Sequence, residues 1–216
     1  MSASGTNQGL RAGVCLSTTR PASPFAGQVI FETDTNRLAV YNGSSWVVLA
    51  DADTPPALEL IKTQTIGTAV SSVEVANVFS ATYDNYRIIV GGGSASGNTD
   101  LRVTLGSTTT NYNYGLTYTN YATATASSTR AQATSSFVYA GQGTSETLSM
   151  NIDLLNPFLS KRTLISGVLV QSNTDGSSGV FGGVLSNTDS YTGFTITSSA
   201  GTITGGTIRV YGYRNS

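Results

Sequence analysis

From residue 57 onward the chain alternates short apolar bursts with polar turns about every ten residues, and no stretch repeats apolar positions at helical spacing. Leu148, Met150, Ile152 and Leu154 alternate with Ser149, Asn151 and Asp153, and Leu101, Val103 and Leu105 alternate with Arg102 and Thr104. A period of two is the mark of a half-buried strand, whose successive side chains point to opposite faces. The pattern predicts strands over 58–65, 72–79, 86–91, 101–105, 112–121, 137–140, 147–154, 164–171, 179–185, 192–197 and 207–213. That many short strands at such spacing predict an all-β domain over 57–216, a β-sandwich of jelly-roll-like type.

The pattern over 20–50 is different. Three apolar bursts, 28–33, 37–41 and 45–49, are separated by Asp34-Thr35-Asn36 and by Asn42-Gly43. Asn-Gly between two β-rich runs signals a tight type I′ hairpin, because both residues tolerate positive φ. A three-stranded β-meander follows. Val29, Phe31, Leu38, Val40, Trp46 and Val48 are expected on one face and Ile30, Ala39, Tyr41, Val47 and Leu49 on the other, so both faces are oily. A ribbon this small cannot bury both within itself. It is expected to pack against other chains, sister copies or a host surface, through Val29, Phe31, Leu38, Val40, Tyr41, Trp46 and Val48.

These residues also carry a resemblance. Arg20-Pro21, Ser23-Pro24, Gly27-Gln28-Val29-Ile30-Phe31, Glu32-Thr33-Asp34-Thr35-Asn36-Arg37 and Tyr41-Asn42-Gly43-Ser44-Ser45-Trp46 together resemble a module that recurs in virion structural proteins of tailed bacteriophages. It occurs there in tail fibres, tail spikes, minor tail proteins and head decorations. The resemblance implies a building part of the virion and brings no catalytic residue with it.

Around these segments, 1–19 reads as an extended N-terminal arm with Gly5, Gly9 and Gly13, ordered by whatever it lies against. Pro21 and Pro24 prevent a helix at the start of the meander. Residues 51–56, ending in Pro55-Pro56, read as a stiffened linker and mark the domain boundary. Only 11% of the 216 residues are charged, while Ser and Thr number 60. Such a surface is solvated by hydroxyls more than by ions. With 11 Lys and Arg against 12 Asp and Glu, there is no clustered basic patch to hold phosphates, so nucleic acid is not an expected partner. Cys15 is the one cysteine, which leaves a bridge between chains or an inert thiol. Neither a signal peptide nor an 18-residue apolar run is present, so no membrane insertion is expected. A surface-type composition without an export signal fits synthesis in a host cytoplasm and a final place on the virion surface.

Candidate chemistry is sparse. Asn-Thr-Asp occurs at 98–100, 173–175 and 187–189, but each triplet brings one carboxylate where calcium needs six to eight converging oxygens, so turn capping is expected and no metal or cofactor. Gly91-Gly92-Gly93-Ser94 lacks the spacing of a phosphate loop and reads as a strand connection. Residues 122–136 form a low-complexity run, either a long surface loop or an edge strand passing beside another subunit. Tyr112, Tyr114, Tyr118 and Tyr121 precede it, interleaved with asparagines. Each offers a flat apolar face with a polar tip, so the four are candidates for external recognition, including a host surface glycan, with core or intersubunit packing as the other use. No histidine is present, which removes the usual general base. Glu146 and Asp153 are the only carboxylates considered as a glycosidase pair, for which a separation of about 5 to 10 Å is required; no enzyme activity is expected.

Three readings follow. The first is a non-enzymatic virion appendage, a trimeric tail fibre or receptor-binding protein anchored by its N-terminal part to other virion proteins. The second is a capsid decoration or cement protein of the same architecture. The third is a free carbohydrate-binding or adhesin module.

Overall fold

A computed structural model describes residues 12–51, 57–172 and 176–215. The structure is all-β, with no helix among the described residues. The chain divides into two compact units between Pro56 and Ala57, at the far end of the expected linker. Most of that linker, 52–56, lies outside the described residues, as do 1–11 of the expected arm and the Asn-Thr-Asp triplet at 173–175.

In the first unit, β1 (Gly13–Cys15), β2 (Val29–Glu32), β3 (Arg37–Tyr41) and β4 (Trp46–Asp51) form one sheet in that order. The expected three-stranded meander therefore gains a fourth strand from the arm. β1 lies parallel to β2, and the residues between them, carrying Pro21 and Pro24, cross back over the sheet. Arg20 of this crossover donates through Nε to the carboxylate of Glu32, and Ser17 donates through its backbone N–H to Asp34 at 2.8 Å. Beneath it, Ile30, Glu32 and Ala39 are buried.

The hairpin and the faces differ from expectation. The β3–β4 turn is a four-residue loop in which Asn42 N–H donates to Ser45 O at 3.0 Å and the Asn42 side-chain oxygen accepts from the N–H groups of Ser44 and Ser45. Gly43 has φ 101°, while Asn42 is not in the left-handed region. The Asn side chain does the turn's work locally, so the type I′ geometry is not needed. Across this turn Tyr41 stands opposite Trp46, Val40 opposite Val47 and Ala39 opposite Val48. Opposed residues share a face, and a loop with an even number of residues pairs odd with even positions. Trp46 and Val48 thus lie with Ile30, Ala39 and Tyr41 on the covered face, and Val47 joins Val29, Phe31, Leu38 and Val40 on the open one.

The second unit contains β5 (Leu58–Thr65), β6 (Ser72–Val75), β7 (Asn85–Gly92), β8 (Ser94–Ala95), β9 (Thr99–Leu105), β10 (Tyr112–Asn120), β11 (Ala126–Thr134), β12 (Phe137–Gly143), β13 (Leu148–Leu155), β14 (Thr163–Val170), β15 (Ser177–Leu185), β16 (Phe194–Ser198), β17 (Ile203–Thr204) and β18 (Thr207–Tyr213). All eleven expected strands are present, and β8, β11 and β17 are additional. The expected strand over 72–79 stops at Val75; Val78 and Phe79 are buried beyond it, their N–H groups donating to Thr192 O. The 122–136 run resolves into an edge strand, since β11 pairs with β10 alone.

The architecture turns on β13. One edge pairs along its length with β7. The other edge is divided, residues 148–150 pairing with β12 and 151–155 with β14. The sheet therefore forks there. One branch runs β14-β15-β10-β11, the other β12-β9-β16-β6, and β7 leads through β18 to β5. The layers close as a sandwich over an aromatic core: Phe79 stacks on Phe194 and meets Tyr86 edge-on at 4.7 Å, and Phe137 meets Tyr112 at 4.8 Å. The alternating sets Leu101, Val103, Leu105 and Leu148, Met150, Ile152, Leu154 are all buried.

Candidate functional site

Two surfaces stand out, one on each unit. On the first unit a short sheet with a single covering crossover cannot hide its second face. Val14, Val29 and Val47 are exposed on it, and Leu16 and Phe25 of the crossover and Val48 and Leu49 of β4 are exposed as well, Phe25 and Val14 each by 68%. A groove of about 570 Å³ runs between Ala12, Gly13, Phe25, Gly27, Gln28, Val29 and Leu38. Of the seven expected interface residues, Val29, Phe31, Leu38 and Val40 line the open face together. Tyr41, Trp46 and Val48 do not: the register puts all three on the covered face, where the rings of Tyr41 and Trp46 pack on each other at 5.4 Å, so Trp46 belongs to the unit's own packing. Cys15 is half-buried in β1 opposite Glu32. Bonds from Arg20 and Thr35 hold the Glu32 carboxyl below its ordinary pKa, outweighing burial.

On the second unit a polar cleft of about 360 Å³ opens where the branches diverge from β13. Asp100 of β9 and Tyr139 and Gln142 of β12 form one wall; Leu116, Tyr118 and Asn120 of β10, Thr129 of β11, Leu169 of β14, Gln171 and Ser177 form the other. A chain of hydrogen bonds spans it: Ser177 Oγ donates to Gln171 Oε1 (3.0 Å), Gln171 Nε2 to Gln142 Oε1 (2.9 Å) and Gln142 Nε2 to Asp100 Oδ1 (2.5 Å). Burial raises the Asp100 pKa despite the Gln142 bond and the nearby Arg102 charge. It raises those of Tyr139 and Tyr114 as well. Arg102, two positions along β9, has a buried Nε with no hydrogen-bond partner.

The four tyrosines separate. Tyr112 is buried in the core, its hydroxyl accepting from Leu105 N–H (2.8 Å) and donating to Thr108 O (3.1 Å), so it is not an external recognition residue. Its inward strand position at the closed end of the fork decides this, and burial pushes its pKa up to about 12. Tyr114 is half-buried against Tyr139 and Phe181. Tyr118 lines the cleft, and Tyr121 is exposed beyond it. Tyr139, Gln142, Gln171 and Ser177 had no sequence signal as a site, and Asp100 showed only as a turn residue, because the fork that gathers them is a long-range feature.

The remaining candidates stay apart. Asp153 is drawn up by burial but held lower overall by Arg87, which donates through Nε and Nη2 at 2.9 and 2.8 Å, and by Tyr213. Glu146 lies exposed in the β12–β13 turn, separated from Asp153 by most of β13. At about 3.3 Å rise per residue that is well beyond the reach of a glycosidase pair. Asn187 donates to Asp189 and Tyr191, which is turn chemistry, and no three potential metal-ligating side chains converge among the described residues. Gly93, φ 68°, approaches Gly205 so closely that a Cβ would sit 2.3 Å from its carbonyl oxygen; the glycine run is a backbone-to-backbone contact. Compared with protein-family models, curated protein sequences and solved structures, the chain matches none.

Proposed function

We propose that this chain is a non-enzymatic structural protein of a tailed-phage virion, a trimeric surface appendage anchored through its N-terminal unit. The observation that carries the reading is the open face of that unit. Val14, Val29 and Val47 are exposed on it, with Phe31, Leu38 and Val40 half-buried beside them, on a sheet whose covered face buries little beyond Ile30, Glu32 and Ala39. An apolar surface of that density on so small a unit is the mark of an interface. The string resemblance over 20–46 supports the virion as its setting, and close-packed sister copies satisfy an open sheet face on each chain.

Sedimentation of the full chain tests the assembly. The unsubstituted protein is expected to run as a trimer, and Val47→Lys, which places a charge on the open face, as a monomer with an unchanged β-rich circular dichroism spectrum. A monomeric unsubstituted protein would defeat the proposal. Antibody labelling of particles then separates the locations: label at the tail supports an appendage, and label around the shell selects a decoration protein instead.

A further inference from the structure

We propose that the cleft at the fork of the second unit is a binding site for a neutral saccharide. Protein interiors are close-packed, yet here about 360 Å³ stands open between two branches of one sheet, a volume in the range of small-molecule sites. Its walls have the composition such a ligand needs. Leu116, Leu169 and the rings of Tyr118 and Tyr139 offer apolar surface to the C–H face of a sugar ring.

The polar groups are fixed and still have capacity. Gln142 and Gln171 each give one amide hydrogen to the bonded chain and retain a second, and Asp100 uses Oδ1 for Gln142 and keeps Oδ2. Among the described residues the hydroxyls of Tyr118 and Tyr139 have no protein partner. A sugar hydroxyl donates and accepts at once, which suits a wall that alternates amide, carboxylate and phenol. A phosphate or other anion would meet the Asp100 carboxylate. Because the cleft is built within one chain, the site holds whether or not the chain oligomerises, so its failure and that of the assembly reading are separable.

The test is titration of the full-length protein with glucose, galactose, mannose and N-acetylglucosamine, followed by NMR. At least one sugar is expected to bind saturably, shifting the ring signals of Tyr118 and Tyr139 and leaving that of Tyr121 in place. Tyr118→Phe and Tyr139→Phe each remove one oxygen and are expected to weaken binding about fivefold, the worth of one hydrogen bond. Absence of saturation with all four sugars, or shifts confined to residues outside the cleft, overturns the proposal. So does unchanged affinity in both variants.

Discussion

The hydroxyl of Tyr112 bridges the N–H of Leu105 and the carbonyl of Thr108 inside the core, and that of Tyr86 does the same for both backbone groups of Ser80. In each case a strand tyrosine fastens a neighbouring loop by bonding its backbone groups. Tyr112→Phe leaves those groups without a partner and is expected to cost about 1 to 3 kcal/mol, read as a lower denaturant midpoint with an unchanged slope. Glu32 acts at the same scale in the other unit. Its folded-state pKa is depressed, so its contribution is complete above the unfolded-state value near 4.3 and is lost as pH falls through the folded-state value. Asp34, bonded by Ser17, is also lowered, so acid loosens both anchors of the crossover. Trp46, the chain's one tryptophan, reports on this unit. Its fluorescence is expected to change in acid below about pH 4, and Glu32→Gln should leave only the weaker dependence due to Asp34. An acid transition identical in the variant would contradict the role given to Glu32. None of this was legible beforehand: a Tyr or Glu in a strand pattern does not say which partner waits across the fold.

At the scale of elements, the strands of the second unit were legible because burial on one face enforces a period of two. β11 was not, since a run of Ala, Ser and Thr has no apolar contrast to reveal which face turns inward. The two-residue strands β8 and β17 exist because Gly93 and Gly205 let two turns touch. The β10–β15 ladder shows how strongly register constrains single positions. A Cβ on Gly179 would lie 2.3 Å from the carbonyl oxygen of Thr117, whereas one on Gly115 meets nothing within 4 Å. Gly179→Ala is therefore expected to destabilise by about 1 to 3 kcal/mol, and Gly115→Ala to stabilise by about 0.5 kcal/mol through lower unfolded-state entropy. Denaturant unfolding of the two variants in parallel decides it; equal effects would mean that the ladder shifts to accommodate the methyl.

For the whole molecule, the attachment proposed through Val29, Phe31, Leu38, Val40 and Val47 would draw on apolar area and not on charge. Assembly is expected to persist in molar salt, where exposed ion pairs are screened within about 3 Å, and to dissociate in denaturant. Sedimentation across both titrations checks this, and dissociation by salt alone would point to an electrostatic interface instead. The sequence by itself determined the all-β class, the two-part division near residue 56, most strand positions and the oily character of 20–50, because periodicity, turn residues and composition are local properties. Only the tertiary structure decided that Trp46 and Val48 turn to the covered face, that Tyr112 belongs to the core, and that Asp100, Gln142, Tyr118 and Gln171 meet in one cleft. The reason is physical: faces depend on pairing register across a turn, and the cleft depends on β13 sharing one edge between two strands, which no local pattern encodes.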